Sequence, residues 1–315
     1  MPRGRRAGVL VLAALIVLAI GIPGAVFRLR PQPKPIPLRP EPMVRLYVSQ
    51  TGNYVTLPME EYIQGVVAAE MEPSWPVEAL GAQAILARTF TLKRMEQGGV
   101  PLRHADASSD PKEFQAYNPK AINDNVRLAV RATRGRVATY KGDFIEAWYH
   151  ADAGGRTAAV PQEGINHKGT APYVKSVSDP GFSSSPPENR SWTVSVPWEE
   201  VRDRIRAYTG RDPGPTAVAR IANQGKSGRA ITVQLGNVII SGADLRTALG
   251  TRAVRSTLFT DFAVRNGRLV IKGRGFGHGV GMSQWGAKAL AEKGRSAEQI
   301  VRYFFRGIRI ESAWK

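Results

Sequence analysis

Cysteine is absent from this sequence of 315 residues. The chain therefore forms no disulfide and offers no thiolate ligand to a metal ion. The cellular compartment has to be inferred from other features.

Acidic residues are scarce: 26 Asp and Glu stand against 44 Lys and Arg, which gives a formal net charge of +18. Such a charge attracts polyanions, which include nucleic acid, anionic lipid and acidic cell-wall polymers, without selecting one of them. The glycine-rich run at residues 273–286 has no Gly-Lys-Ser/Thr ending and no dinucleotide fingerprint. A phosphate-binding loop is therefore excluded there.

Charge is missing altogether from residues 7–27, a run long enough to span a bilayer. Arginines flank it on both sides, so charge bias alone does not fix its orientation. A cleavable signal would have a shorter apolar core and a small-residue cleavage site, which we do not find. We expect residues 1–30 to be an uncleaved membrane anchor and residues 31–42, with six prolines, to be a semi-rigid linker. Residues 43–315 would then form an extracytoplasmic domain, and the protein would be a single-pass cell-membrane protein.

The spacing of apolar residues predicts a helix over residues 58–71. Pro58 suits a first helical position, and two glutamates follow in the first turn, where the helix dipole favours them. The apolar stripe continues to a position that is occupied by Glu70 instead of an aliphatic residue. A carboxyl in such a setting has a raised pKa and is able to act as a general acid. The alternatives are a buried ion pair, for instance with Arg88, or a helix-end residue that reaches solvent.

A second helix is predicted from Val77 to about Met95 and is rich in small residues that allow close packing. Further expected helices cover residues 120–134, 199–208, 242–249, 282–293 and 296–305. Expected strands cover residues 44–48, 136–140, 144–149, 192–196, 230–235, 237–241, 259–264 and 269–272. Residues 164–189 are rich in loop signals and are expected to form a flap. The predicted fold class is α+β: a helical hairpin that carries Glu70, packed on antiparallel strands.

Several ordered motifs make the sequence resemble the stage II sporulation protein D family (SpoIID/LytB domain). They are Val66-Val-Ala-Ala-Glu-Met71, Glu78-Ala-Leu, Ala82-Gln-Ala, Ala87-Arg-Thr-Phe90, Gln115-Ala-Tyr117, Tyr149-His150, Gly154-Gly155 and Gly275-Phe-Gly-His-Gly-Val-Gly-Met-Ser-Gln-Trp-Gly-Ala287. The resemblance implies a membrane-anchored lytic transglycosylase of peptidoglycan, with Glu70 as the catalytic acid. By the same resemblance its substrate is glycan stripped of stem peptides by an amidase, in sporulation and engulfment of the forespore.

The resemblance, together with the polar side chains and exposed backbone of the glycine-rich loop, suggests which residues contact the glycan strand. These candidate substrate-binding residues are Arg88, His104, Gln115, Tyr117, His150, Gly154, Gly155, His278, Ser283 and Gln284. For Gln115 and Tyr117 the alternative is ordinary loop hydrogen bonding, for His150 it is a structural role, and for the glycine-rich loop it is tight packing.

Some members of the family bind zinc with cysteines and a second histidine. Here the corresponding positions hold Ser108, Glu113 and Phe114, and only His104 remains. One histidine with Asp106 is poor ligation for zinc, so we expect no metal and no cofactor.

Two other functions stay open at this stage. The family includes amidase enhancers, so a wall-binding protein that activates a partner amidase is the alternative to an enzyme. Membrane-tethered nucleic-acid binding depends on net charge alone and lacks any recognised motif, so we expect no nucleic-acid partner. If the enzyme hydrolyses glycan instead, Asp106 and Asp110 are candidates for the second carboxylate.

Overall fold

The computed structural model describes residues 36–315. The expected membrane anchor and the first part of the proline-rich linker lie outside the described residues. Within residues 36–315, no helix combines the length and the apolar character that crossing a membrane requires.

The described chain is a mixture of helices and mainly antiparallel sheets, which confirms the expected mixed class. The helices are α1 (Met59–Glu70), α2 (Val77–Glu96), α3 (Asp124–Ala132), α4 (Pro187–Arg190), α5 (Trp198–Thr209), α6 (Gly242–Leu249), α7 (Gln284–Glu292) and α8 (Ala297–Phe304). The strands are β1 (Met43–Val48), β2 (Asn53–Pro58), β3 (Ala107–Ser108), β4 (Arg136–Tyr140), β5 (Asp143–Phe144), β6 (Tyr149–His150), β7 (Trp192–Pro197), β8 (Ala219–Gln224), β9 (Ala230–Leu235), β10 (Val238–Ser241), β11 (Phe259–Arg265), β12 (Arg268–Gly273), β13 (Met282–Ser283) and β14 (Arg309–Ser312).

Helix α2 is the centre of the first hydrophobic core and packs against α1, α3, α7, α8 and β4. The small residues predicted to allow close approach do so: an added Cβ at Gly81 would lie 3.1 Å from the Cβ of Ala297. The antiparallel sheet β14–β4–β5 lies against this helix, where the Ala138 N–H donates to the Thr89 hydroxyl at 2.8 Å. The helical hairpin therefore exists and packs on antiparallel strands, as predicted.

A second core is inserted between two parts of the first. Its sheets are β11–β12–β7 and β10–β9–β8, and it includes α5 and α6. The chain enters the second core through β7 and leaves it through β12. These two strands are paired antiparallel, with Trp192 opposite Gly273. The two ends of the insertion are thus neighbours in space.

Two expected elements differ from the structure, and several strands were not predicted. The strand expected over residues 144–149 is two short strands in different sheets, because the chain leaves β4 after Phe144 and later pairs in parallel with β13. The helix expected from residue 120 begins at Asp124, where the Asn123 side chain accepts from the Val126 N–H at 3.0 Å. Strand β8 was not predicted, since only some of its side chains are partly buried and the rest are exposed.

Candidate active site

Glu70 is the last residue of α1 and is partly buried. Its Oε1 accepts a hydrogen bond from the Ala116 N–H at 3.0 Å. Burial raises the pKa of the Glu70 carboxyl, while the Ala116 N–H and the side chains of Tyr149 and Gln284 act in the opposite direction. No ion pair with Arg88 forms. The carboxyl is therefore desolvated and hydrogen-bonded, as a general acid has to be.

Tyr149 connects Glu70 to a buried polar chain. Its hydroxyl donates to Gln115 Oε1 at 2.9 Å, and Gln115 Nε2 donates to the Thr91 hydroxyl at 2.9 Å. The same hydroxyl is a hydrogen-bond partner of Glu70, and burial raises the pKa of Tyr149 well above its ordinary value. The phenol has one proton to donate. It is thus able to accept from protonated Glu70 while it donates to Gln115, or to donate to ionised Glu70.

Two amides complete the surroundings of Glu70. Gln284 begins α7 and is nearly buried, and its Nε2 lies 3.5 Å from Gln83 Oε1. Gln83 is fully buried on α2, and no described residue partners its Nε2. Gln83 and Tyr149 are site residues that the sequence alone did not single out. A polar side chain among the small residues of α2 was the available signal for Gln83.

Aromatic side chains lie beside these residues. Trp75 and Trp285 meet edge to face, with ring centroids 4.8 Å apart, and both are partly exposed. The Lys288 amino group lies 5.1 Å from the Trp285 ring centroid and 5.8 Å from that of Trp75. Partly exposed indole rings are typical of the lining of a binding cleft.

Tyr117 stacks on the buried Tyr62 ring, with centroids 5.7 Å apart and planes at 12°. This stack depends on Gly65, since a Cβ there would overlap the Tyr117 ring. Gly65 is helical, where exchange for alanine ordinarily stabilises by about 0.5–1 kcal/mol.

We expect the opposite for Gly65→Ala, a net loss of about 1–2 kcal/mol, because overpacking costs more than the helix gains. Thermal unfolding and near-ultraviolet circular dichroism of the tyrosines measure it. The neighbouring Gln64→Ala is the matched control and should leave both signals unchanged. A more stable Gly65→Ala with an unaltered tyrosine signal would contradict this view.

His150 and His278 do converge, with ring centroids 5.4 Å apart. Val280 fixes both rings: its N–H donates to His278 Nδ1 at 3.0 Å, and its carbonyl lies 3.2 Å from His150 Nδ1. Burial and neighbouring charge lower the pKa of His150 well below its usual range. Burial, with Arg246 and Arg229, lowers the pKa of His278 to about 3. Both rings are therefore neutral at physiological pH.

Three of the predicted residues position the backbone. Gly154 and Gly155 have φ of +70° and +100°, which favours glycine, and a Cβ at Gly154 would lie 2.9 Å from Leu258 Cδ2. Ser283 is the N-cap of α7, and its buried hydroxyl accepts from the Gly286 N–H and donates to Asp179. Substrate contacts at these residues stay predictions.

Arg88 is a core residue, and its predicted contact with substrate is wrong. It is fully buried and pairs bidentately with Glu60, with Nη2–Oε2 at 2.7 Å and Nε–Oε1 at 3.2 Å. Glu60 also accepts from the Gly135 N–H and from Trp314 Nε1, each at 2.9 Å. A guanidinium with no exposed surface cannot touch a glycan strand.

His104 is exposed on a turn, with φ of +48°. It lines a shallow pocket with Arg45, Gly98, Pro101, Ala105 and Asp106, and none of these residues contacts Glu70. The structure therefore does not bring His104 to the acid. Across residues 36–315, no cluster of three His, Cys, Asp or Glu residues has a geometry suited to a metal ion.

The chain is similar in sequence to two family models and to several known proteins. The family model "Stage II sporulation protein" matches residues 47–140, and a "Domain of unknown function (DUF8618)" matches residues 169–281. An uncharacterised protein of Brachyspira hyodysenteriae is 34% identical over 81% of this chain and 67% of its own length.

Relatives from Bacillus carry functional names. Stage II sporulation protein D of Bacillus amyloliquefaciens is 32% identical over 88% of this chain and 81% of its own. The amidase enhancer of Bacillus subtilis is 28% identical over 79% of this chain but only 40% of its own length. Because the match to the Bacillus amyloliquefaciens protein covers most of both chains at 32% identity, the chain belongs to the stage II sporulation protein D family.

Proposed function

We propose that the protein is a lytic transglycosylase that cleaves the bond between N-acetylmuramic acid and N-acetylglucosamine in peptide-stripped glycan strands. The observation that carries the proposal is Glu70, a carboxyl with a raised pKa that is held by the Ala116 N–H at 3.0 Å. It is partly exposed, and its partner Gln284 precedes Trp285, which meets Trp75 edge to face. The family resemblance supplies the reaction type and the stripped substrate.

The chemistry requires one carboxyl in two protonation states. Protonated Glu70 donates its proton to the glycosidic oxygen as the bond to the muramoyl anomeric carbon breaks. The resulting carboxylate accepts the proton of the muramoyl 6-hydroxyl, whose oxygen closes onto the anomeric carbon. The product ends in a 1,6-anhydro sugar and the acid is regenerated. Tyr149 supports both states by accepting from the acid or donating to the carboxylate.

A hydrolase would need a second carboxylate near the first. No other carboxylate of the described residues contacts Glu70. Asp106 Oδ2 accepts from the Arg45 N–H at 2.8 Å, and Asp110 Oδ1 accepts from the Lys112 N–H at 2.9 Å. Both aspartates hold loops together, which favours the single-carboxyl mechanism.

Mass spectrometry of the products tests the proposal. The full-length protein is incubated with glycan strands from which an amidase has removed all stem peptides. Anhydro-ended fragments are the expected result. Fragments with a reducing end would show that the protein is a hydrolase and not a transglycosylase.

The second candidate is an amidase enhancer, favoured by the similarity to the Bacillus subtilis protein of that name. In that case the protein binds glycan and releases no fragments, but it raises the rate of a partner amidase. With either activity, we place the protein at the cell membrane, anchored by residues 1–30, with residues 43–315 outside the cytoplasm and its role in sporulation.

Trp285 gives a prediction on binding. We expect Trp285→Ala to raise KM for stripped strands about 10-fold, because a sugar ring loses the indole face on which it stacks. Trp285→Phe retains an aromatic face and should keep most of the affinity. Steady-state kinetics separate KM from kcat. A fall in kcat alone would instead indicate that Trp285 acts by positioning Gln284.

A further inference from the structure

Arg246 differs from the other buried arginines of the protein. It lies on α6 in the second core, is partly buried, and its Nε donates to the Arg255 carbonyl at 3.2 Å. Burial lowers the pKa of Arg246 to about 10, and no charged neighbour among the described residues compensates. A desolvated guanidinium ordinarily has a carboxylate partner.

The charges of the two fully buried arginines, Arg88 and Arg229, are both compensated by nearby acids or carbonyl groups. Arg88 has the Glu60 carboxylate. Arg229 donates to the carbonyls of Arg156 and Ala153 at 2.8 and 2.7 Å, and it lies in the field of Glu163, Asp179 and Asp152. Among residues 36–315, Arg246 has no comparable acid, so its guanidinium is able to donate to an anion from outside.

The position of Arg246 connects it to the candidate active site. Its Nε donates to the Arg255 carbonyl at 3.2 Å, and its charge contributes to the lowered pKa values of His150 and His278. The Arg255 carbonyl that binds Arg246 also accepts from the Gly277 N–H at 2.9 Å. His278 is hydrogen-bonded to the backbone of Tyr149, whose hydroxyl reaches Glu70. Gly277, His278 and Tyr149 thus connect the carbonyl that binds Arg246 with the acid.

The neutral histidines add no positive charge here, and Arg246 is a cation of this region for which no carboxylate of the described residues is a partner. Its guanidinium forms a planar fork that matches a carboxylate. Amidase action on peptidoglycan converts the amide at the lactyl ether of muramic acid into a free carboxylate. A stripped strand thus carries an anion on each muramoyl residue, whereas an intact strand carries none at that position.

We propose that Arg246, beside His278, forms the subsite that binds the lactyl carboxylate of stripped muramoyl residues. This inference depends on the proposed function for its substrate. It explains how the cleft distinguishes stripped strands from strands that still bear peptides: the amide of an intact stem offers no charge to the guanidinium.

Two matched substrates test the proposal with the full-length protein. One is stripped glycan, and the other is the same glycan with its lactyl carboxylates converted to methylamides. We expect wild type to have a kcat/KM about 10–100-fold higher on the carboxylate strands, the size expected for a charged hydrogen-bonded pair. Arg246→Met should bring this ratio close to 1 by losing activity on the carboxylate strands alone.

Arg252→Met, an exposed arginine of the same module, is the control and should keep the full ratio. Arg246→Lys retains the charge and should restore part of the ratio, which separates recognition from misfolding. Equal activity of wild type on both strands, or full discrimination by a folded Arg246→Met, would overturn the proposal.

A binding assay tests the carboxylate subsite independently of the proposed transglycosylase activity. The affinity of Glu70→Gln for the two strands is measured with and without Arg246→Met. If wild type cleaves neither strand while this preference persists and depends on Arg246, the transglycosylase fails and the carboxylate subsite stands. If cleavage proceeds without any preference, the subsite fails and the transglycosylase stands.

Discussion

Glu70→Gln is expected to lower kcat on stripped glycan about 10³-fold or more while KM changes little. Glutamine keeps the shape of the side chain and still accepts from the Ala116 N–H, but it has no proton to give. General acid–base catalysis contributes about 10²–10⁴-fold, and here one group serves both steps. Glu72→Gln, an exposed carboxyl two residues further on, is the matched control and should have wild-type rates.

The pH dependence follows from the raised pKa of Glu70. The first step needs the protonated acid, so kcat/KM should be highest below this pKa and fall as pH rises through it. His150 and His278 have lowered pKa values, so their titration should not change kcat/KM between pH 6 and 8. A kcat/KM that rises with pH across this range would remove Glu70 as the general acid.

The same shift has a consequence for stability. A carboxyl with a folded-state pKa above its unfolded value favours folding in its protonated form, so stability is lost as pH rises from the unfolded to the folded pKa. The Glu70→Gln variant has no carboxyl at this position, so it does not lose stability in this way as pH rises. We expect its Tm to exceed that of wild type by a few degrees at pH 7 and to match it at pH 4, as seen by differential scanning calorimetry.

Arg88→Met is expected to have the largest effect on folding, a loss of about 3–5 kcal/mol, because it leaves the buried Glu60 carboxylate without its cation. The corresponding fall in Tm is about 10 °C or more. The exposed Arg131→Met on α3 should leave Tm unchanged.

The double variant Glu60→Gln/Arg88→Met separates the two explanations for Arg88. It removes both charges and should recover a large part of the lost stability, since a buried pair replaced as a whole costs far less than a broken one. If Arg88→Met folds as well as wild type but loses affinity for glycan, the contact with substrate predicted from the sequence is right and the structural role is wrong.

The contrast between Glu70 and Arg88 shows what a single sequence reveals. Glu70 is found because it interrupts an apolar stripe whose period is local to one helix. Arg88 is misread because its partners are distant in the chain: Glu60 lies 28 residues away, and Trp314 joins the same carboxylate from 254 residues beyond Glu60. Helical periodicity carries no information about such pairs.

The strands around the site show the same limit. The alternation at residues 144–149 predicts one strand, yet Tyr149 pairs with Met282 in a different sheet. That pairing brings Tyr149 and Gln284 to Glu70. Arg246 was missed because an arginine in a short amphipathic helix is ordinarily a solvated residue, and only tertiary packing desolvates it.

The inserted core also bears on how the family can diversify. Because Trp192 and Gly273 are paired neighbours, a short loop between them would close the first core without the second. A gene that lost this segment would retain the helix that carries Glu70 and lose the helix that carries Arg246. The acid and the arginine thus lie in parts of the chain that selection is able to alter separately, so substrate preference can drift while the bond-breaking chemistry is inherited unchanged.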